Sequence, residues 1–182
     1  MQLSTFSYLL GLGTIILLIL TVTVVIMRIT FGQKSTIIKS ITENAILIGF
    51  TLGFFALAGS LTYSQIYELT PCLFCWWQRI FIYPQVIFFA IAWVRSNKQS
   101  KEISIFHYTT PLAIISTLTS FYHILLQRGI VGPTGSCILN GTPCNIISTQ
   151  VFGFITIPVM AFTIGIALTA LGLLVIKQRN NA

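Results

Sequence analysis

Charge is what this chain has least of. Acidic residues number three and basic residues ten among 182, and charged residues of both signs make up only 7% of the sequence. A soluble domain carries about a quarter of its residues as charges, so this chain cannot cover a water-facing surface. Low-complexity tracts and a separate soluble domain are also missing. No Gly-rich dinucleotide fingerprint occurs, and Gly11 and Gly13 lie inside an apolar run with no strand before them, so they read as helix-packing positions and no flavin or dinucleotide is called for. What is present is apolar: 55% hydrophobic residues and a mean hydropathy of +0.90. The bilayer is the solvent.

A transmembrane helix needs roughly 20 mostly apolar residues. Five stretches qualify: Ser7–Met27, Ala45–Tyr67, Trp76–Val94, Ile105–Leu126 and Val151–Ile176. The expected fold is an all-α integral membrane protein, with the last four helices forming a bundle and the first an extra N-terminal helix packed outside it. No Lys or Arg precedes the first stretch and no small-residue cleavage site follows it, so it is expected to be retained as a helix. Small residues such as Gly49, Gly53 and Ser60 let the second helix approach its neighbours. Pro111 and Pro158 are expected to kink the fourth and fifth helices or to begin turns there. Three divisions follow: 1–44, the extra helix and a basic loop; 45–176, the four-helix unit; and 177–182, a tail.

Cations set the expected orientation. Arg28, Lys34 and Lys39 follow the first helix, Arg95, Lys98 and Lys101 follow the third, and Lys177 and Arg179 end the chain. The connections between them are almost free of cations, so the N-terminus and the Glu68–Cys75 and Gln127–Gln150 connections face outward. The net charge of +7 is then topology and contact with anionic membrane lipid, with no nucleic acid involved.

All four cysteines fall in those outward connections, Cys72 and Cys75 in one and Cys137 and Cys144 in the other. Disulfides persist outside the cytoplasm. Structural staples are one reading, and it suits Cys137 and Cys144, with six residues between them that include Gly141 and Pro143, better than it suits the first pair. A Cys-x-x-Cys closes a small ring that is readily reduced and whose thiolate can be stabilised, which favours redox work. With Pro71 starting a helix, Cys75 falls near its first turn and is expected to be the more acidic thiol. Arg79 lies one turn deeper on the same face, the sole charge in its span. It either snorkels to the headgroups beside an interfacial belt of Trp76 and Trp77, or it lowers a thiol pKa and hydrogen-bonds a carbonyl of a membrane-soluble acceptor. His123, near the outer end of the fourth helix with Gln127 one turn on, is a candidate to hydrogen-bond or protonate such an acceptor. His107 lies sixteen residues away, about 24 Å along the helix, and reads as structural. Gln78, Glu68 and Tyr83 also lie within reach of the site, Glu68 equally well as a solvated charge.

Together these residues resemble a known family. Cys72-x-x-Cys75-Trp76-x-Gln78-Arg79-Ile80 with Tyr83-Pro84, Tyr122-His123, Leu126-Gln127, the pair Cys137 and Cys144, and Phe152-Gly153-Phe154-Ile155-Thr156-Ile157-Pro158 are similar to the DsbB/BdbC membrane disulfide oxidoreductases, nearer the BdbC branch. The resemblance runs from about Ala45 to Ile176, and Met1–Asn44 depart from it. It implies an enzyme of a bacterial cytoplasmic membrane that reoxidises a secreted thioredoxin-like protein of the DsbA/BdbD kind and passes two electrons to menaquinone or ubiquinone. Cys137 and Cys144 would form the outer disulfide that the partner attacks. The released thiol would reduce Cys72–Cys75 through a bond to Cys72, leaving Cys75 facing the quinone. Arg79 would orient the quinone oxygen, with Trp76, Gln78 and His123 as further cofactor-binding residues.

Two rivals stand beside this reading. In the first, all four cysteines hold one zinc in a non-enzymatic membrane protein. The second is a quinone reductase resembling the vitamin K epoxide reductases, in which the loop pair precedes the Cys-x-x-Cys; here it follows.

Overall fold

The computed structural model describes residues 2–31, 35–95, 104–132, 137–139 and 142–180. Lys34, Lys98, Lys101 and Gly141 lie outside the described residues. Helices α1 (Leu3–Phe31), α2 (Thr36–Glu43) and α3 (Ala45–Leu61) come first, with α3 running on into a π-helical turn at Thr62–Ile66. Next are α4 (Leu73–Val94), α5 (Ser104–Gln127), the strand pairs β1 (Ile138–Leu139) with β2 (Thr142–Pro143) and β3 (Gln150–Val151) with β4 (Ile155–Thr156), and α6 (Ile157–Asn180). Five helices are long and apolar enough to cross a bilayer: α1, α3 with its π turn, α4, α5 and α6.

The bundle of α3 to α6 has the expected core. Ala45 of α3, Phe89 of α4, Phe106 and Ala113 of α5, and Leu168, Leu171 and Val175 of α6 form one buried cluster. Lipid tails are as apolar as leucine, so close fit, and not water exclusion, holds such helices together. Gly49 shows how: a Cβ there would stand 2.7 Å from the Phe89 ring. Gly165 and Gly172 of α6 lie equally tight against Thr117 and Thr110 of α5.

The ends of the elements differ from the hydropathy reading for a physical reason: apolar runs mark where the chain crosses lipid, whereas capping and turn residues mark where a helix begins. Helix α4 starts at Leu73, three residues before the apolar run, because Cys72 takes the extended N-cap conformation behind Pro71. Helix α6 starts only at Ile157, since Val151–Thr156 is spent on the β3–β4 hairpin, whose turn uses positive φ at Phe152 and Gly153. Pro158 is thus the second residue of α6, while Pro111 and Pro84 sit inside α5 and α4. Unforeseen is α2, an amphipathic helix that buries Ile38 and exposes a Lys39–Glu43 ion pair of 3.9 Å.

The first helix lies outside the main core cluster, yet it is bound to the bundle. It packs against α6 and β3, and the Tyr63 hydroxyl donates to Ser7 Oγ at 3.1 Å. Gly11 is pressed against Val151 and Phe152.

Candidate functional site

At the end of the bundle where α4 begins and α5 ends, the two cysteine pairs come together. The N-cap position of Cys72 leaves Cys75 on the first turn of α4, with the two sulfurs 3.0 Å apart as free thiols. Across from them Cys137 and Cys144 form a disulfide with a Cα–Cα distance of 5.7 Å. That disulfide is held by the β1–β2 hairpin, in which the Cys144 N–H donates to the Cys137 carbonyl at 3.1 Å. Cys72, Leu126, Cys137 and Cys144 make one buried cluster, with Leu73, Phe74 and Cys75 packed against it.

His123 joins the two pairs. It is 1% exposed. Its Nε2 lies 3.0 Å from the Cys144 carbonyl oxygen and 3.7 Å from Cys72 Sγ, and its Nδ1 lies 3.3 Å from Gln78 Nε2. With the Gln78 amide donating to Nδ1, the ring proton sits on Nε2, where it points to the Cys144 carbonyl with the Cys72 sulfur as a longer second acceptor. Gln127, one turn on, donates from Nε2 to the Ile146 carbonyl at 3.2 Å and accepts from Thr156 Oγ1 at 2.9 Å. It ties the disulfide loop and the start of α6 to α5.

The preferred thiolate is at Cys72, not at Cys75 as the helix position had suggested. The Cys72 thiol is held down to about 4, first by the hydrogen bond from Cys75 and then by His123, against the opposing effect of burial. A dipole argument counts only the place of a sulfur in the first turn. Here the N-cap sulfur receives two donors at once, and specific hydrogen bonds to the charged form outweigh the diffuse field.

Arg79 is 9% exposed. Its Nε donates to Ser60 Oγ at 2.9 Å and its Nη2 to the Ser60 carbonyl at 3.1 Å, while the guanidinium carbon lies 5.5 Å from the Trp76 ring centre. Among the described residues no carboxylate pairs with it, and the rest of its donor fork is free. It faces a cavity of about 390 Å³, whose polar lining includes Cys72, Cys75, Gln78, Arg79, Tyr83 and His123. The Tyr83 hydroxyl is buried and has no hydrogen-bond partner among the described residues. Trp76 is not part of that lining; it is half exposed, beneath Arg79. Glu68 and His107 are exposed, His107 at the opposite end of α5. Sequence reasoning missed Ser60 as the partner of Arg79, which looked like one more small packing residue. It also missed the α1 residues that line the cavity, for which the sequence holds no signal beyond apolarity.

The four-thiolate zinc site is overturned, because Cys137 and Cys144 are bonded to each other and have no thiolate to offer. Cys72, Cys75 and His123 do present three potential ligand atoms within 4.8 Å of one another.

Residues 42–175 match the protein family described as disulfide bond formation protein DsbB. The chain belongs to the DsbB family. It is accordingly a membrane disulfide oxidoreductase, and its curated relatives agree. A "probable disulfide formation protein" of Oceanobacillus iheyensis is 36% identical over 138 residues, covering 75% of this chain and 92% of the relative. A "probable disulfide formation protein C 1" of Bacillus anthracis is 34% identical over 137 residues, 75% of this chain and 95% of that one. The "disulfide bond formation protein C" of Bacillus subtilis is 39% identical over 108 residues, 58% of this chain and 73% of the relative. No solved structure matches. Helix α1 lies before the matched region and α2 only touches its start, so the family pattern covers the α3–α6 bundle and its two cysteine pairs.

Proposed function

We propose that this protein reoxidises an extracytoplasmic thioredoxin-like Cys-x-x-Cys protein of the DsbA/BdbD kind and delivers the electrons to a membrane quinone, so supporting disulfide formation in secreted proteins. The observation that carries this reading is the cluster of both cysteine pairs around His123 at the head of the cavity. A relay needs its two centres in contact and its second centre open to the acceptor.

In the proposed sequence a partner thiolate attacks the Cys137–Cys144 disulfide, and the partner's second thiol resolves the mixed disulfide. The partner leaves oxidised and Cys137 and Cys144 become a dithiol. One of those thiols attacks Cys72 Sγ and breaks the Cys72–Cys75 bond; the other resolves the inter-loop bond, which restores Cys137–Cys144 and leaves Cys72 and Cys75 reduced. Attack at Cys72 is favoured because His123 holds that sulfur next to the Cys144 backbone. That leaves Cys75, one turn from Arg79 on α4, as the thiol offered to the acceptor.

The lining fits a quinone: apolar walls, a guanidinium with free donors and a tyrosine hydroxyl without a partner meet the two carbonyls that such a ring presents. When bound, the quinone would accept two electrons from the reduced pair, with one proton from the Cys75 thiol and a second from solvent, and would leave as the quinol, restoring Cys72–Cys75. Arg79 and Tyr83 would hold the ring, Gln78 would act through His123, and Trp76 would steady the guanidinium. We place the cysteine end outside the cell, since Arg28, Arg95 and Lys177 gather at the other end. Residues 45–176 then form the redox unit, with 1–44 and 177–182 as additions to it.

The test is quinone absorbance after a reduced thioredoxin-like Cys-x-x-Cys protein is added to the purified enzyme in detergent, with Cys75→Ser as control. Loss of quinone in the wild type alone is the expected result. No loss with menaquinone or ubiquinone analogues would refute the quinone route.

A further inference from the structure

The cavity that holds Cys75 and Arg79 is not closed by the family bundle alone. Its wall includes Leu9, Leu10, Gly13, Thr14 and Leu17 of α1, a helix outside the region that matches the family. The first turns of α1 are fastened at the cysteine end. Ser7 accepts the Tyr63 hydrogen bond, the Phe6 ring lies 5.2 Å from the Tyr63 ring and 5.5 Å from that of Tyr67, and a Cβ at Gly59 would stand 3.4 Å from Leu10. Beyond Leu10 the α1 lining is apolar apart from Thr14, whose hydroxyl is taken up by the Leu10 carbonyl, and the wall includes Leu17 of α1 with Leu52 and Phe55 of α3. Gly13 lies on this stretch, exposed, with nothing within 4 Å of where its Cβ would be.

At about 390 Å³ the cavity matches a drug-sized ligand. It has room for a quinone ring and the start of a side chain, so a long polyprenyl tail has to leave it, and its apolar end is the exit that costs least. We propose that α1 and α3 frame a lateral mouth through which the tail of a lipid-borne quinone runs between the cavity and the bilayer, and that Gly13 keeps this mouth open. This inference rests on the quinone reading above. It makes α1, through Gly13, a determinant of which quinones are used, selecting for tail and not for ring. The bare face of Gly13 is where the mouth is most easily narrowed, because a side chain added there meets no protein atom and projects into the space the tail would use.

The experiment compares wild type with Gly13→Leu on two quinones: a long-tailed menaquinone delivered in lipid nanodiscs and a tail-less naphthoquinone. Reduction of Cys137–Cys144 by the thioredoxin-like partner serves as a measure of folding. The expected result is a KM for the long-tailed quinone raised about tenfold or more, the scale on which an apolar pocket rejects misfitting groups. The tail-less quinone and the partner reaction should keep their wild-type rates. Unchanged kinetics for both quinones, or an equal loss for both, would overturn the mouth. A wild type that reduces neither quinone would instead bring down the quinone reading itself. Gly13→Ala, with one methyl group in the same open space, should give a smaller shift in the same direction; a shift equal for both quinones there would also refute the proposal.

Discussion

Removing the hydrogen bond between the two sulfurs should move the ionisation of Cys72. In the reduced enzyme its pKa is about 4, and the hydrogen bond from Cys75 is the largest cause, ahead of that from His123, with burial acting against both. Cys75→Ala deletes the leading cause and leaves burial, which raises the pKa, against His123 and the backbone hydrogen bond, which still lower it, so the Cys72 pKa should rise well toward the ordinary thiol value of about 8.5. Cys75→Ser keeps an O–H donor at nearly the same place and should hold it low. At about pH 6 a thiol of pKa 4 is some 99% thiolate, whereas one of pKa 8.5 is only about 0.3% thiolate. Alkylation rates at one pH would hide most of this difference. With a Brønsted slope of about 0.4–0.5, the more acidic thiolate is roughly 10²-fold less nucleophilic. The quantity to read is therefore the midpoint of the pH profile of iodoacetamide labelling at Cys72, located by peptide mass spectrometry. The sign for the reduced form follows from a folded pKa below the unfolded one: the stabilisation is complete above the ordinary thiol pKa and is lost as pH falls through about 4. A wild-type midpoint near 8.5, or one that does not move in Cys75→Ala, would refute the assignment of the thiolate to Cys72.

Arg79→Ala should raise the KM for quinone or slow its reduction by about 10-fold to 100-fold, the scale of a lost charged hydrogen bond, while reduction of the loop disulfide by the partner continues. Arg79→Lys should recover little of it, because a single ammonium cannot hold Ser60 through two separate nitrogens and still offer free donors to the cavity. Gly49→Val places a branched side chain where a Cβ is already 2.7 Å from the Phe89 ring. It should destabilise the bundle by about 1–3 kcal/mol, read as a lower thermal midpoint in detergent, and an unchanged midpoint would show that α3 and α4 are less tightly packed than described.

The number of spans and the four-helix core could be read from the sequence because the bilayer imposes length and apolarity directly. The start of α4 was legible from Pro71 and not from hydropathy, since the helix begins at Leu73, three residues ahead of the apolar run. For α2, eight residues with a single apolar stripe give too short a signal to stand out beside a neighbouring span. The meeting of the cysteine pairs followed from motif order and sidedness. What escaped was their junction: His123 was legible as a polar residue near the acceptor, but its bond to the Cys144 carbonyl depends on a backbone atom that no residue type announces. The Arg79–Ser60 pair escaped likewise, because a serine among glycines and alanines in a membrane helix looks like packing until the neighbouring helix is placed.

The unpaired guanidinium of Arg79 gives the site a charge that changes with its redox state. With Cys72 and Cys75 joined as a disulfide, the buried region carries one positive charge and no counterion among the described residues. Once the pair is reduced and one thiol ionises, the region becomes neutral overall. Holding an isolated cation away from water is costly, so the bundle is electrostatically tense when oxidised and relaxed when reduced. The oxidised pair is therefore made easier to reduce, and a carboxylate set beside Arg79 would weaken that readiness while leaving every cysteine in place.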